Sequence, residues 1–321
     1  MLVREITAAE VATWAPRAVD HMTRIREASG ALRCEVAELF SARILKTFRV
    51  GVPRGSRIFV NDNCTQWLWV KERPKLAVVD AKIDTDPHGQ WREALCTVLD
   101  GREAEVSFFP GDQSAAALFD ALPHREVLRH MSVSLPRLGF VPAEGAEAIH
   151  LRTMGAGELG TFLDAVCESL GRHEANVNPG SDARELAAKN LAECERLLSD
   201  GVSTPGHEVC AICTDTRTIG GIWAEIDGHC AFLWNLYVYR PYRGHGHSRA
   251  ALVALAERLK AEGVRHINLR VVADNFAAQA IYDSVGFALT ERTVMLEPAR
   301  MSADDAGSSD SVAVPGDVAV G

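Results

Sequence analysis

The sequence lacks long apolar runs, and none approaches the roughly 20 residues that a helix needs to cross a bilayer. Its N-terminus also lacks the basic-then-apolar layout of a signal peptide, which favours a cytoplasmic location. An excess of positive charge is missing too, because the formal net charge is −9. We therefore expect no membrane partner and no nonspecific binding of nucleic acid by the chain as a whole.

Cysteine is present but without the spacing of a disulfide framework. The eight cysteines are scattered, a pattern typical of reduced thiols in a cytosolic chain. Cys210 and Cys213 form the only close pair, in a strand-like run where residues three apart point to opposite faces. No second Cys or His pair lies at zinc-ligand spacing, so we expect no metal site.

The length of 321 residues suits two domains of about 150 residues each. In the C-terminal half, apolar spacing predicts a helix over 157–170, and Ser181-Asp182 can cap a second helix through Leu198. Further strands are predicted at 208–214, 218–225, 230–239, 266–272 and 288–296, with helices at 248–262 and 275–284. After Pro298 the tail, residues 299–321, is small, acidic and without a periodic apolar face, which predicts disorder.

The most informative segment is the phosphate loop, which we define as residues 243–248. It reads Arg243-Gly244-His245-Gly246-His247-Ser248 and joins an apolar strand to a helix. A strand that turns through glycines into a helix aims several backbone N–H groups and the positive helix end at one point, which predicts an anion site. Arg243 adds charge, Gly246 lets the backbone approach the anion, and Ser248 can serve as the helix N-cap.

Downstream, Asp274-Asn275 leads into Ala277, Ala278, Tyr282 and Gly286-Phe287. Together with the phosphate loop, this segment resembles the acyl-CoA-binding core of the GNAT acetyltransferase superfamily. The family has Gly or Ala where this chain has Ser248, so the match is incomplete at that position. The resemblance spans residues 150–297. It implies an α+β fold in which a mixed, mostly antiparallel twisted sheet is flanked by helices.

The resemblance also implies roles for individual residues. It implies that Asn275 and Ala278 contact the arm of acetyl-CoA or another acyl-CoA, and that the strand carrying Leu236, Tyr237 and Val238 splays from its neighbour to pair with that arm. It implies that the Tyr282 phenol protonates the leaving thiolate. The general base is poorly specified, and Glu225 is the first candidate, followed by Asp227, His229 and His173.

The N-terminal half contains a weak internal repeat. At an offset of 163 residues, Ser107-Phe108-Phe109 aligns with Arg270-Val271-Val272, and Phe119 aligns with Tyr282. Strand-like runs at 57–60, 65–70 and 75–83 precede a helix at 90–99, which predicts a second fold of the same type. Where the phosphate loop belongs, Asp84-Thr85-Asp86-Pro87 offers acids and a proline, which disfavour a pyrophosphate. We therefore expect residues 1–145 to be a degenerate repeat and residues 146–298 to be the catalytic domain; an unrelated α/β domain is the alternative for the first half.

Three functions remain open. The first is an N-acyltransferase, in which a primary amine attacks the acyl-CoA thioester directly. The second keeps the fold but takes the acyl group from an aminoacyl-tRNA, for which the run of basic residues between 24 and 57 leaves room. The third is a non-catalytic binding module. A small-molecule amine is the expected acceptor. The residues that indicate a cationic, partly apolar one are Trp223, Trp234, Glu225 and Asp227. The sequence specifies no oligomeric state.

Overall fold

A computed structural model of the chain describes residues 2–72, 75–86, 88–119, 122–141, 147–177 and 180–297. The predicted disordered tail and the predicted domain boundary at residue 145 lie outside these residues. The N-terminal half contains β1 (Arg4–Glu5), α1 (Ala8–Ser29), α2 (Ala37–Lys46), β2 (Ser56–Val60), β3 (Trp67–Glu72), β4 (Leu76–Lys82), α3 (Gln90–Leu99), β5 (Ala104–Phe108), α4 (Ala116–Phe119) and β6 (His124–Ser134). The C-terminal half contains β7 (His150–Thr153), α5 (Ala156–Val177), α6 (Ala183–Leu197), β8 (His207–Cys213), β9 (Thr218–Asp227), β10 (Cys230–Val238), α7 (His247–Ala261), β11 (His266–Val272), α8 (Phe276–Ser284) and β12 (Ala288–Leu296).

The described strands form one continuous sheet in the order β1-β2-β3-β4-β5-β12-β6-β11-β10-β9-β8-β7. Among them, β4 pairs parallel with β5, and β10 pairs parallel with β11. Every other ladder in the described sheet is antiparallel. The predicted mixed, mostly antiparallel α+β class is confirmed, and the sheets of the two halves are joined at their centre.

The last strands of the two halves are exchanged. β12 pairs with β5 of the N-terminal half, and β6 pairs with β11 of the C-terminal half. The β5–β12 ladder pairs Phe108 with Arg292, and the β11–β6 ladder pairs Val271 with Arg129. Phe108 and Val271 are 163 residues apart, and so are Arg129 and Arg292, which is the offset of the internal repeat. Arg129 and Arg292 are themselves partners in the β6–β12 ladder. The internal repeat therefore corresponds to a pseudo-twofold axis through this antiparallel pair.

Because the axis relates antiparallel strands, it runs perpendicular to the sheet and keeps equivalent helices on one face. Helices α1 and α2 cover one face of β2 and β3 with a core that includes Trp14, Trp67 and Trp69. Helices α5 and α6 cover the same face of the C-terminal half around Phe162 and Trp223. Helices α3 and α7 pack on the opposite face. Between the two helix pairs, part of the central strands stays accessible, including the exposed Arg270.

Two of the cysteines contradict the expectation of reduced thiols. Cys34, which follows α1, forms a disulfide with Cys230 at the start of β10. The two residues are 196 positions apart, so their spacing carried no framework signal. Cys210 and Cys213 are free, and they pack into the cores on opposite faces of the sheet, as predicted.

Within the described ranges, no helix is long and apolar enough to span a bilayer.

Candidate functional site

The phosphate loop leaves β10 through a short turn at Arg240–Tyr242 and enters α7 at His247. Gly246 is the N-cap, with a left-handed φ of 80°. The expectation that Ser248 caps this helix is wrong, because the left-handed glycine takes that position and Ser248 becomes the second helical residue. A side chain at Gly246 would be strained by its φ and would also meet the Phe140 ring at 3.4 Å.

The backbone of the loop offers unpaired donors. Within the part of the chain that the structure describes, the N–H groups of residues 244–248 have no hydrogen-bond acceptor. Arg243 Nε donates to the Val238 carbonyl at 2.8 Å, and its guanidinium lies 4.9 Å from the centre of the Tyr237 ring. His247 Nδ1 donates to the Tyr242 carbonyl at 3.0 Å, which fixes the loop from within. The free N–H groups of the loop form a candidate anion site, and the Arg243 and His247 side chains fix the loop around it.

A cavity of about 520 Å³, which we call the cofactor cavity, opens at this loop. It brings together most of the predicted binding residues, namely Leu236, Tyr237, Val238, Arg243, Gly244, Gly246, His247, Ser248, Asn275 and Ala278. His245 is not among the lining residues; it is exposed, with its ring 5.6 Å from that of His247. Sequence reasoning missed Ser169 of α5 and Arg249 of α7. Arg249 directly follows the phosphate loop, so its positive charge could have identified it in the sequence as a candidate binding residue.

Asn275 has a second role that the resemblance did not imply. Its Oδ1 accepts from the Ala278 N–H at 3.2 Å and so caps α8. This bond orients the side-chain amide, whose NH₂ group remains a donor at the cavity wall. The preceding Asp274 pairs with His173 of α5 at 3.0 Å, which ties the helix beside the cavity to the loop that carries Asn275.

The splaying of β10 from β11 agrees with the expectation. The two strands pair from Cys230 to Leu233 on one side and from His266 to Leu269 on the other. Beyond these residues, β10 keeps its ladder with β9 after a register shift between Leu233 and Asn235, while the described part of β11 has no further partner in β10. The strands therefore part next to the cofactor cavity.

The two predicted catalytic residues do not line the cofactor cavity. Burial raises the pKa of Tyr282 to about 12, and its ring lies 5.5 Å from that of Phe287. Glu225 on β9 accepts from Trp234 Nε1 at 2.9 Å. Trp234 in turn stacks on the buried Trp223 at 5.6 Å. The acid and base roles remain predictions, and these tryptophans pack with each other and with Glu225.

The equivalent place in the N-terminal half is filled. Helix α3 also begins after a left-handed N-cap, Gly89, with a φ of 67°. There the Asp86 carboxylate accepts from the N–H groups of Trp91 at 3.2 Å and Arg92 at 3.0 Å. The cavity between β4 and β5 is only about 30 Å³. In the N-terminal half a carboxylate thus accepts from N–H groups at the start of the helix, whereas the N–H groups of residues 244–248 have no acceptor within the described chain.

The comparisons with known proteins bear on this geometry. The profile of the Acetyltransferase (GNAT) family matches residues 178–287, which contain the phosphate loop, Asn275 and Tyr282. Residues 178–287 therefore contain a domain of the GNAT family. The GCN5-related N-acetyltransferase of Sphaerobacter thermophilus has a similar fold over nearly its whole length: the likeness covers 92% of this chain and 94% of that one, with a TM-score of 0.53 and 18% identity.

Two curated relatives from Bacillus subtilis align with part of this chain. The uncharacterized N-acetyltransferase YycN is 32% identical over 100 residues, and YdgE is 27% identical over 121 residues. The alignments take in 30% and 36% of this chain, and they span 64% and 77% of the relatives. The first alignment therefore spans less than two thirds of its relative.

Within the described residues, no group of three His, Cys, Asp or Glu side chains is placed to hold a metal ion.

Proposed function

We propose that the protein is an N-acyltransferase that moves an acetyl or other acyl group from acyl-CoA to a primary amine. The observation that carries the proposal is the row of free N–H groups at residues 244–248, opening into a cavity of about 520 Å³. Free amides at a helix N-terminus suit a pyrophosphate, and a cavity of this size suits an extended arm. The match of residues 178–287 to the GNAT family supports the same donor.

In this proposal the chain contributes mainly by binding and orientation. The loop and Arg243 hold the phosphates, and Asn275 holds the arm along β10 towards the point where β10 and β11 part. The amine nitrogen then bonds to the acyl carbon, the carbon–sulfur bond breaks, the ammonium gives up a proton, and the sulfur takes one. Tyr282 is the proposed donor of that last proton, and Glu225 stays the first candidate for the base.

We also propose that the N-terminal repeat is non-catalytic. Asp86 occupies the N–H groups that a phosphate needs, and the neighbouring cavity of about 30 Å³ is too small for an acyl-CoA arm. Phe119 has no hydroxyl to act as an acid, and it packs edge-on against Phe108.

No observation favours an aminoacyl-tRNA donor. Three arginines of the basic run are engaged in ion pairs, Arg24 with Asp20, Arg43 with Glu35, and Arg57 with Glu5. Arg26 is partly buried, with its guanidinium 4.4 Å from the centre of the Phe109 ring. A cytoplasmic location also remains a prediction, and the Cys34–Cys230 disulfide is the observation that counts against it.

Calorimetric titration with acetyl-CoA tests the proposed donor. We expect micromolar binding that Arg243→Glu weakens at least tenfold, about 1.4 kcal/mol, because the substitution puts a negative charge beside the phosphates. Arg240→Glu is the matched control, since Arg240 is exposed, makes the same charge change and lies outside the lining of the cavity. Retention of charged tRNA at low salt without binding of acetyl-CoA would support the tRNA donor. If neither acetyl-CoA nor charged tRNA binds, the non-catalytic binding module is the function that remains.

A further inference from the structure

A further cavity, which we call the central cleft, lies over the exchanged strands, between the two helix pairs. It measures about 190 Å³ and is lined from both repeats. His130 on β6 and Gly30 after α1 come from the N-terminal half. Phe232 on β10, Arg270 on β11 and Glu291 on β12 come from the C-terminal half. The cleft therefore exists only because the repeats exchange their last strands.

The charged residues of the cleft form a row across three neighbouring strands. Arg270 is the ladder partner of His130, and His130 is also the ladder partner of Glu291. Neighbouring strands lie about 4.8 Å apart, so the backbones of Arg270 and Glu291 are roughly 10 Å apart, with His130 between them. The row offers a ligand a cation on β11 and a carboxylate on β12.

The positive end of the row is available to a ligand. Arg270 is exposed, its guanidinium lies 5.7 Å from the centre of the Phe232 ring, and it has no ion-pair partner among the described residues. Arg33 adds a second cation near the rim, where its Nη1 donates to Ser132 at 3.5 Å. An exposed guanidinium without a carboxylate partner is suited to bidentate binding of a carboxylate or phosphate.

The negative end of the row is held in place. Ser107 donates to Glu291 Oε1 at 2.6 Å, which orients the carboxylate. The partly buried Arg26 attracts Glu291 but forms no ion pair with it within the described chain. Burial lowers the pKa of His130, so the imidazole between the two ends stays neutral near pH 7 and is able to accept a proton.

The central cleft lies where the acyl group would arrive. Leu233 and Leu269 are the last paired residues before β10 and β11 part, and Phe232 and Arg270 stand directly beside them at the cleft. The cofactor cavity begins farther along β10, at residues 236–238. From Val238 back to Leu233 the strand rises roughly 17 Å, at about 3.3 Å per residue, a distance that an extended thioester arm spans.

We propose that the central cleft is the acceptor site and that it takes a small amine that also carries an anionic group, with the anion bound by Arg270 and the amine beside it, at the point where β10 and β11 part. The inference rests on the proposed acyl-CoA donor. It differs from the sequence-based expectation of a cationic, partly apolar amine. Trp223 and Trp234 suggested that expectation, but they pack against each other outside the cleft.

Matched pairs of amines test the proposal, each an amino acid and its decarboxylated amine: phenylalanine with phenethylamine, lysine with cadaverine, and arginine with agmatine. Product formation with acetyl-CoA is followed by mass spectrometry. We expect the carboxylate-bearing member to have a kcat/KM at least tenfold higher. Arg270→Gln is expected to remove this preference by raising the KM for the amino acid, without changing the affinity for acetyl-CoA. Arg265→Gln is the control, because Arg265 is an exposed arginine just before β11 and outside the cleft.

Each outcome decides a separate point. Failure of the wild-type protein to bind acetyl-CoA overturns the proposed donor. Binding of acetyl-CoA without acetylation of any carboxylate-bearing member overturns the acceptor class. So does an equal rate for both members of each pair, or a preference that survives Arg270→Gln.

Discussion

Gly89 and Gly246 are N-caps of equivalent helices in the two repeats, and both have the left-handed conformation, with φ of 67° and 80°. The Asp86 carboxylate accepts from the N–H groups of Trp91 and Arg92, whereas the loop at Gly246 lines the cofactor cavity. The same left-handed glycine N-cap is thus part of a structural helix cap in one half and of a candidate anion site in the other.

Alanine substitutions at Gly89 and Gly246 distinguish the structural cap from the candidate anion site. Each forces a Cβ into the left-handed region, so each is expected to destabilise the fold by about 1–2 kcal/mol in urea unfolding. Only Gly246→Ala is expected to lower acetyl-CoA affinity in calorimetry, by tenfold or more, because the loop amides must rearrange. Gly89→Ala is the matched control, since a Cβ there meets nothing within 4 Å. Equal affinities in the two variants would contradict the assignment of the loop.

Sequence patterns predicted the C-terminal half well because its elements have regular periods and clear caps. The predicted strands at 266–272 and 288–296 have the observed bounds, and Asp182 caps α6 as expected by accepting from Arg184 and Glu185. The strand exchange was not predictable, because β6 and β12 have the same local pattern whichever half they join. The disulfide and the central cleft depend on contacts between residues some 130 to 200 positions apart, for which local spacing carries no signal.

The Cys34–Cys230 disulfide links the two repeats beside the central cleft, where Asn268 donates to Cys34 Sγ at 2.8 Å. Because it closes a long loop in the unfolded chain, Cys34→Ser is expected to lower the free energy of unfolding by about 2–5 kcal/mol. Cys64→Ser, at a free cysteine of intermediate exposure, is the control. Alkylation in denaturant, followed by intact mass, is expected to add six labels without reductant and eight after reduction. Eight labels in both samples would show that the pair is not bonded in solution.

A buried network of polar side chains lies in the N-terminal repeat. The Asp80 carboxylate accepts from Trp67 Nε1 at 2.7 Å and lies 3.3 Å from His21 Nδ1, while His21 Nε2 lies 2.9 Å from Ser114 Oγ. Asp80→Ala leaves the indole and imidazole without this acceptor, so we expect a loss of about 1–3 kcal/mol in urea unfolding. Asp80→Asn keeps an acceptor oxygen and is expected to lose less. If the repeat has no part in donor binding, acetyl-CoA affinity stays unchanged in both variants, and a tenfold loss would contradict that proposal.

Tyr282 offers a test by pH, because burial raises its pKa to about 12 from the ordinary 10.0. A phenol with a raised folded-state pKa stabilises the fold fully below pH 10, and this contribution is lost as the pH rises from about 10 through about 12. If the phenol is the acid, kcat is not expected to fall near pH 10, where an exposed tyrosine loses its proton. Tyr282→Phe is expected to lower kcat by about 10²–10⁴-fold with the affinity for acetyl-CoA unchanged. Tyr239→Phe, at a partly buried tyrosine outside the lining of the cofactor cavity, is the control. Steady-state rates between pH 7 and pH 10.5 check both expectations, and full activity of Tyr282→Phe would exclude the acid role.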